Sequence, residues 1–186
     1  MSNPPRKAQI RDRYDDLGGR LYDLRYGEEQ RAKYREALSL IRLEPWMVVL
    51  DNGCGTGLLE EELDTYVVGL DLSQALLREA RARTTSKERV HLALGDSENL
   101  PIRDSVLDAT FSFTVLQNLP HPEKMFMDSR RASSPGAHHV VSTHRKTMTL
   151  DELRALIEKT RLKIVRLIDT ENAKIGRASC RERVLS

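Results

Sequence analysis

The sequence predicts an α/β protein built on a doubly wound, mostly parallel β-sheet with helices on both faces. Runs rich in valine, isoleucine and leucine alternate with helical stretches from about residue 46 to residue 169. Several of these runs are continuously apolar, which is typical of parallel strands covered on both sides. A chain of 186 residues is long enough for one domain with a substantial core, so no division into several such domains is needed.

The N-terminal segment, residues 1–45, predicts a helical arm that precedes the sheet. Apolar side chains recur every three or four residues over 10–41, a spacing that indicates helices. We expect breaks at residues 18–19 and at Gly27, because glycine weakens a helix. Pro45 ends the arm, since a proline cannot continue a helix from within.

The predicted sheet domain over residues 46–175 takes its elements in a regular order. The strands are expected at residues 46–51, 66–72, 89–94, 107–113, 138–143 and 163–169. The helices are expected at residues 58–63, 73–83, 121–132 and 149–160. Ser73 is a favoured N-cap, and Thr149 with Glu152 three residues later has the spacing of a capping box. These caps mark the starts of two helices that lie between strands.

Charge and cysteine content favour a protein of the cytoplasm. Lysine and arginine number 30 against 28 acidic residues, and the net charge of +2 is too small to argue for nucleic-acid binding. Cys54 and Cys180 lie far apart, and a disulfide at Cys54 would obstruct the glycine-rich loop around it. No apolar run approaches the roughly 20 residues that span a bilayer, and the N-terminus lacks the apolar centre of a signal peptide. We therefore expect a soluble, cytoplasmic protein without membrane contact.

The stretch VVLDNGCGTGLLEEEL carries glycines at alternate positions directly after the first predicted strand. Gly53, Gly55 and Gly57 would let a ligand approach the backbone closely. The dinucleotide fingerprint G-x-G-x-x-G fails at Leu58, and the phosphate loop G-x-x-x-x-G-K-[ST] fails because no lysine follows. Asp51, just before the loop, would repel a pyrophosphate but suits a ligand with an ammonium or sulfonium group.

Two further acids follow the next strands. Asp71 ends the second predicted strand, where a carboxylate can accept both hydroxyls of a ribose. Asp96 follows the third predicted strand and can accept a hydrogen bond from an exocyclic amine such as that of adenine. Adenine, ribose and a cationic amino-acid group together describe S-adenosylmethionine. An ordinary turn or N-cap is the alternative reading of the Asp96 segment.

Three motifs in order resemble those of the class I S-adenosylmethionine-dependent methyltransferases. VVLDNGCGTG resembles the first motif, D/E-x-G-x-G-x-G, and VVGLDLSQALLREAR resembles the second. GDSENLPIRDSVLDATFSFTVLQNLPHPEKM resembles the stretch that reads adenine and leads to the reaction centre. The resemblance covers roughly residues 10–172 and implies a seven-stranded Rossmann-like sheet whose last strand is antiparallel.

The resemblance also implies which residues contact the cofactor. The glycine loop would pack beneath the methionine portion, the acid before it would face the amino group, and the acids after the next two strands would bind ribose and adenine. The implied cofactor residues are Asp51, Gly53, Cys54, Gly55, Gly57, Asp71, Leu72, Asp96, Ser97, Phe113 and Thr114. Candidates on the substrate side are Tyr22, Tyr26, Gln30, Gln117, Asn118 and His144. The arm tyrosines have an alternative role, which is to pack the arm against the core.

Methyl transfer from a sulfonium is a direct displacement, so the enzyme mainly aligns the reacting atoms. We therefore expect no metal site and no acid–base pair. The Asn-Pro-Pro-Tyr type signature of enzymes acting on planar nitrogens is missing after the fourth strand, which favours a small-molecule acceptor. Alternatives are an RNA or protein methyltransferase that works with a partner, and a cofactor-binding subunit without activity. A nicotinamide-dependent oxidoreductase is disfavoured by Leu58 and Asp51.

The C-terminal segment KIGRASCRERVLS departs from the family pattern. It is basic and weakly apolar, and residues 176–186 are expected to be a non-native or disordered tail. Only its last four residues, RVLS, look able to pair as a strand. The seventh strand would then be truncated or replaced, and an exposed sheet edge of this kind could pair two copies into a homodimer.

Overall fold

A computed structural model gives the fold and describes residues 4–144, 146–170 and 174–180. The helices are α1 (Pro4–Leu17), α2 (Gly19–Leu38), α3 (Leu58–Glu62), α4 (Gln74–Arg83), α5 (Pro122–Ala132) and α6 (Leu150–Lys159), with a short 3-10 helix at Leu116–Asn118. The strands are β1 (Val48–Asn52), β2 (Tyr66–Asp71), β3 (Val90–Leu94), β4 (Leu107–Phe113), β5 (Ser133–Thr143), β6 (Lys163–Asp169) and β7 (Lys174–Ser179).

The strands form one seven-stranded sheet in the order β3-β2-β1-β4-β5-β7-β6. Neighbours from β3 to β5 pair in parallel, whereas β7 pairs antiparallel with both β5 and β6. The predicted doubly wound, mostly parallel fold is therefore confirmed. Because β1, β2 and β4 are adjacent and parallel, their carboxyl ends meet at one edge of the sheet.

The two faces of the sheet carry different hydrophobic clusters. In β5, Val140 packs with residues of α2 and α3, while Val141 packs with residues of α5 and α6. Successive side chains of a strand point to opposite faces, so these helices cover opposite sides of the sheet. Leu50 and Leu70 belong to a third cluster next to β1 and β2.

The arm consists of α1 and α2. The break expected at residues 18–19 is confirmed, since Gly18 has a φ of 69° between the helices. The break expected at Gly27 is wrong, because α2 runs through it without interruption. Gly27 is buried, and a side chain added there would reach Leu58 at about 4.0 Å. The helix packs closely at this point, and that packing offsets the roughly 1 kcal/mol that glycine costs within a helix.

Both predicted helix caps are confirmed. The Ser73 hydroxyl accepts a hydrogen bond from the Leu76 amide at 3.2 Å. Thr149 and Glu152 form the complete capping box. Within the described residues, none of the helices is both long and apolar enough to cross a bilayer.

The expectation that only the last four residues pair as a seventh strand is wrong. β7 forms earlier, from Lys174 to Ser179, and fills the space between β5 and β6. Ile175 and Ala178 are buried, and a side chain at Gly176 would crowd Ile157 and Leu167 at 3.2 Å. Small side chains therefore fit this narrow position despite their low hydrophobicity.

The open gap that motivated the homodimer prediction is thus closed by β7. Dimerisation stays a prediction, without that argument to support it. That residues 176–186 are foreign to the natural chain also stays a prediction, and residues 181–186 lie outside the described part.

Candidate active site

The loop between β1 and α3 lies at the carboxyl edge of the sheet. Gly53, Gly55 and Gly57 all have positive φ angles, of 93°, 55° and 78°. The amides of Gly53 and Cys54 both donate to the Leu70 carbonyl, at 2.7 and 3.0 Å, and so bind the loop to β2. A Cβ on Gly53 would collide with Val115, so both the φ angle and the close packing require glycine there.

Asp71, at the end of β2, holds the loop through its carboxylate. One oxygen accepts from the Gly55 amide at 2.9 Å, and the other accepts from the Ser73 amide at 2.8 Å. Burial raises the pKa of the Asp71 carboxyl, while these two backbone amides act in the opposite direction. Each oxygen keeps a further lone pair for a ligand hydroxyl.

Asp96 follows β3 and faces the arm. One carboxylate oxygen accepts from the Glu98 amide at 2.9 Å, and the other accepts from the Lys7 ammonium at 2.6 Å. Lys7 also pairs with the Glu98 carboxylate at 2.5 Å. Burial lowers the pKa of Lys7, but the hydrogen bonds to the two acids more than offset this and leave it raised.

Phe113 and Thr114 end β4 beside the loop. Thr114 has a φ of 61°, a left-handed conformation that costs a non-glycine residue about 1–3 kcal/mol. Its amide is held by the Ser142 hydroxyl at 3.2 Å and the Ser142 carbonyl at 3.1 Å. Its own hydroxyl accepts from Gln30 at 3.4 Å and from Lys33 at 3.2 Å. Strained residues of this kind are often found at functional sites.

One cavity joins the loop, the strand ends and the arm. The predicted cofactor residues that line it are Gly53, Gly55, Asp71, Leu72, Asp96, Ser97, Phe113 and Thr114. Asp51, Cys54 and Gly57 do not line it, and the first two are buried behind the loop. Of the substrate-side candidates, Tyr22 and Asn118 line the cavity, whereas Tyr26, Gln30, Gln117 and His144 do not.

The arm brings cavity residues that the sequence did not identify. Lys7, Ile10 and Tyr14 of α1 line the cavity. The helical spacing of Ile10 and Tyr14 predicted burial against the core, and nothing in the sequence connected Lys7 with the acids after β3. The missed residues lie on a separate helix, so their proximity depends on how that helix packs.

The arm covers the cavity like a lid. The Tyr22 ring lies 3.8 Å from the position of a Cβ on Gly55. Asp15 accepts from the Ser73 hydroxyl at 2.5 Å and from the Ala75 amide at 3.1 Å, which ties α1 to the start of α4. The side chains of Lys7 and Tyr22 therefore occupy the surfaces that a ligand of the loop and of Asp96 would contact.

A larger cavity of about 1010 Å³ lies elsewhere, and its lining includes Ser133 at the start of β5, Ser105 and Arg161. It contains none of the predicted site residues. The cavity under the arm is the better candidate because the loop, the acids and the strained Thr114 converge there.

Behind the loop, Asp51 and Glu60 form a buried pair of acids. Asp51 is 2% exposed and Glu60 is fully buried. Burial raises the pKa of both carboxyls, and each is raised further by neighbouring acids. The pKa of Glu60 reaches about 7. Sequence reasoning missed Glu60, because an acid in the first turn of a helix normally faces solvent.

Cys54 lies beside this pair and is 4% exposed. Burial and the adjacent acids raise the pKa of its thiol well above the usual value. The thiol therefore stays protonated at neutral pH, which argues against a role as a nucleophile. Its backbone amide is the part that contributes to the loop.

Removal of the Lys7 side chain tests the lid. We expect Lys7→Met to raise the affinity for S-adenosylhomocysteine about three- to tenfold, because an exposed ion pair worth about 1 kcal/mol no longer has to break at Asp96. Calorimetric titration measures this, with the exposed Lys124→Met as a matched control. Weaker binding by Lys7→Met would contradict the expectation and mean that Lys7 supports the bound ligand.

Comparison with known proteins agrees with this geometry. Residues 50–141 match a protein-family model described as "Methyltransferase domain". The malonyl-[acyl-carrier protein] O-methyltransferase of Marinomonas sp. (strain MWYL1) is 33% identical over 142 residues, covering 74% of this chain and 52% of that protein. The protein of the same name from Methylovorus sp. (strain MP688) is 30% identical over 178 residues, covering 88% and 59%. The chain thus spans roughly half the length of these relatives.

Solved structures share the fold at low sequence identity. The methyltransferase in a "Complex between the Haloferax volcanii Trm112 methyltransferase activator and the putative methyltransferase" superposes with a TM-score of 0.81 at 17% identity, over 94% of this chain and 98% of that one. The geranyl diphosphate C-methyltransferase of Streptomyces coelicolor A3(2) superposes with a TM-score of 0.79 at 12% identity, over 96% and 99%.

The parallel sheet, the glycine loop and the acids at its carboxyl edge define a Rossmann-like nucleoside-binding domain. The chain belongs to the class I S-adenosylmethionine-dependent methyltransferases, and S-adenosylmethionine is the cofactor of that family. The residues present fit this cofactor. The glycine loop leaves its backbone bare, Asp71 lines the cavity, and the buried Oε1 of Gln30 has no hydrogen-bond partner among the described residues.

Proposed function

We propose that this protein transfers the methyl group of S-adenosylmethionine to a small-molecule acceptor by direct displacement. The observation that carries the proposal is the Asp71 carboxylate, held by the Gly55 and Ser73 amides at the mouth of a bare glycine loop under a helical lid. Asp71 would accept from the ribose hydroxyls. Asp96 and Ser97 would bind the adenine edge, against which Leu72 packs.

When bound, S-adenosylmethionine supplies a methyl group already activated by the positive sulfur. The protein then has to position the acceptor in line with that methyl group and to exclude water. Tyr22, Tyr14 and Asn118 lie at the mouth, where the Asn118 amide donates to the Tyr14 hydroxyl at 3.2 Å. These side chains would shape the acceptor side and close it when the arm is in place.

The small-molecule acceptor is supported by the names of relatives. These include malonyl-[acyl-carrier protein] O-methyltransferases and the ubiquinone/menaquinone biosynthesis C-methyltransferase of Acidiphilium cryptum, which is 27% identical over 143 residues. The absence of the Asn-Pro-Pro-Tyr type signature after β4 supports the same choice. A cytoplasmic location fits such an enzyme.

A methyltransferase that acts on RNA or protein with a partner is the second candidate. It is favoured by the likeness along 94% of the chain to a methyltransferase solved together with an activator protein. β3 lies at the edge of the sheet, and Leu94 on it is 60% exposed, which leaves an apolar surface for a partner.

Incubation with methyl-labelled S-adenosylmethionine and fractionated cell extract tests the two candidates. We expect label in the small-molecule fraction and none with Asp71→Asn. Label confined to RNA or protein would replace the first candidate with the second. Tight cofactor binding with no label in any fraction would instead indicate a binding subunit without activity.

A further inference from the structure

Two side chains of α2 form a polar cluster behind the cavity wall. Lys33 is 2% exposed and Gln30 is 5% exposed, although both residue types usually lie at the surface. Both donate to the hydroxyl of Thr114, at 3.2 Å from Lys33 and 3.4 Å from Gln30. Gln30 also donates to the Tyr22 hydroxyl at 3.3 Å. Since Thr114 and Tyr22 line the cavity, the cluster lies directly beside it.

The hydrogen bonds of this cluster leave one donor and one acceptor open. The Lys33 ammonium carries three N–H groups and donates to Thr114 and to the Glu29 carboxylate, the latter at 2.5 Å. Its third N–H group is therefore free for a ligand. The Oε1 atom of Gln30 is buried and has no hydrogen-bond partner within the described residues. An unsatisfied buried acceptor costs about 1–3 kcal/mol, so a ligand that donates to it gains affinity.

The charge of the cluster is also only partly balanced. The Lys33 side chain is 1% exposed, whereas its partner Glu29 is 39% exposed and shares its charge with water. A second anion next to the buried ammonium would be stabilised strongly, because charge-assisted hydrogen bonds are stronger where water is excluded. The cluster therefore suits a ligand with a carboxylate next to a hydrogen-bond donor.

We propose that Lys33 binds the carboxylate of the methionyl group of the cofactor and that Gln30 Oε1 accepts from its ammonium. This inference rests on the proposed function. It places the amino-acid end of the cofactor at the end of β4, beside Phe113 and Thr114, and opposite the adenine side at Asp96. The arm thus recognises the cofactor as well as covering it, and Lys33 and Gln30 become specificity-determining residues for the zwitterionic end.

The test compares ligands that differ only at this end. S-adenosylhomocysteine carries both groups, decarboxylated S-adenosylmethionine keeps the ammonium alone, and 5′-methylthioadenosine lacks both. Calorimetric titration of each ligand is made with the full chain, with Lys33→Met and with Gln30→Leu. The exposed Lys163→Met serves as the matched control, and far-UV circular dichroism checks that each variant folds.

We expect Lys33→Met to weaken S-adenosylhomocysteine binding roughly 10- to 100-fold, the range for removing a buried partner of a charged group. Its binding of the decarboxylated ligand and of 5′-methylthioadenosine should stay within about twofold. Gln30→Leu should weaken both ligands that carry the ammonium, about three- to tenfold. Lys33→Arg, which keeps the charge, should restore part of the loss and covers the case in which the methionine variant does not fold.

Two results would overturn the inference. An equal loss for S-adenosylhomocysteine and 5′-methylthioadenosine would mean that Lys33 only holds α2 against β4. Unchanged binding of all three ligands would mean that the cluster does not contact the cofactor. If the unaltered chain binds none of the three, the proposed function itself fails, and that outcome is distinct from the other two.

Discussion

Replacement of Asp71 by asparagine is expected to weaken S-adenosylhomocysteine binding roughly 10- to 100-fold, which corresponds to about 1.5–3 kcal/mol. Two effects add. The ribose hydroxyls lose a charged acceptor, and the loop loses one of the two backbone hydrogen bonds through which Gly55 and Ser73 are fixed. An asparagine offers one oxygen where the carboxylate offers two, so its amide nitrogen would face one of those amides.

Titration calorimetry measures the effect at constant pH and salt. The matched control is Asp64→Asn, an exposed aspartate in the turn before β2 that lies away from the cavity. A thermal melt separates loss of binding from loss of the fold. Equal affinities for the unaltered chain and Asp71→Asn would refute the assignment of Asp71 to the ribose.

The second large effect concerns stability and pH. Glu60 is fully buried, neither of its carboxylate oxygens has a hydrogen-bond partner among the described residues, and its pKa rises to about 7 from 4.5. The folded state therefore holds the Glu60 proton more tightly than the unfolded chain does. Between about pH 4.5 and pH 7 this group lowers the free energy of unfolding as pH rises. Above pH 7 the cost is fully present.

Glu60→Gln should remove that cost, because glutamine has the shape of the protonated acid and carries no charge. We expect the variant to exceed the unaltered chain in stability by up to about 3 kcal/mol at pH 8 and by little below pH 4.5. Urea denaturation across this range gives the difference between the two proteins. The difference is needed because His139, whose pKa falls to about 3 by burial, changes the stability of both in the opposite direction.

Glu62→Gln on the same helix is the control, since Glu62 is exposed and its ion pair with Arg31 is expected to contribute little. A pH-independent difference for Glu60→Gln would show that Glu60 is ionised in the folded protein at every pH tested. The adjacent Asp51 would then carry the shared proton instead.

Most of the fold could be predicted because the strands are locally encoded. β1, β2, β3, β4 and β6 occur within two residues of their expected positions, as continuous apolar or β-branched runs must pair to bury both faces. β5 begins five residues earlier than expected, at Ser133 rather than at residue 138, where Ser133 pairs with Leu107. β7 was missed because its placement depends on two neighbouring strands, and its own residues are small and weakly apolar.

The candidate site was predictable for a different reason. Gly53, Gly55, Asp71 and Asp96 follow β1, β2 and β3 directly, and parallel strands bring their carboxyl ends to one edge. His144 also ends a strand on this side, yet it does not line the cavity. Position at a strand end is therefore necessary for reaching this cavity from the sheet but does not ensure it.

The sequence by itself determined the sheet, the glycine loop and the acids beside it, because each depends on residues close together in the chain. Only the tertiary structure decided that Lys7 lies on Asp96 and Lys33 on Thr114, since 89 and 81 positions separate these partners. It also decided that Glu60 faces inward toward Asp51. Such contacts depend on how the arm and α3 pack against the sheet, and the physical reason is that side-chain burial and charge are set by the whole fold rather than by neighbouring residues.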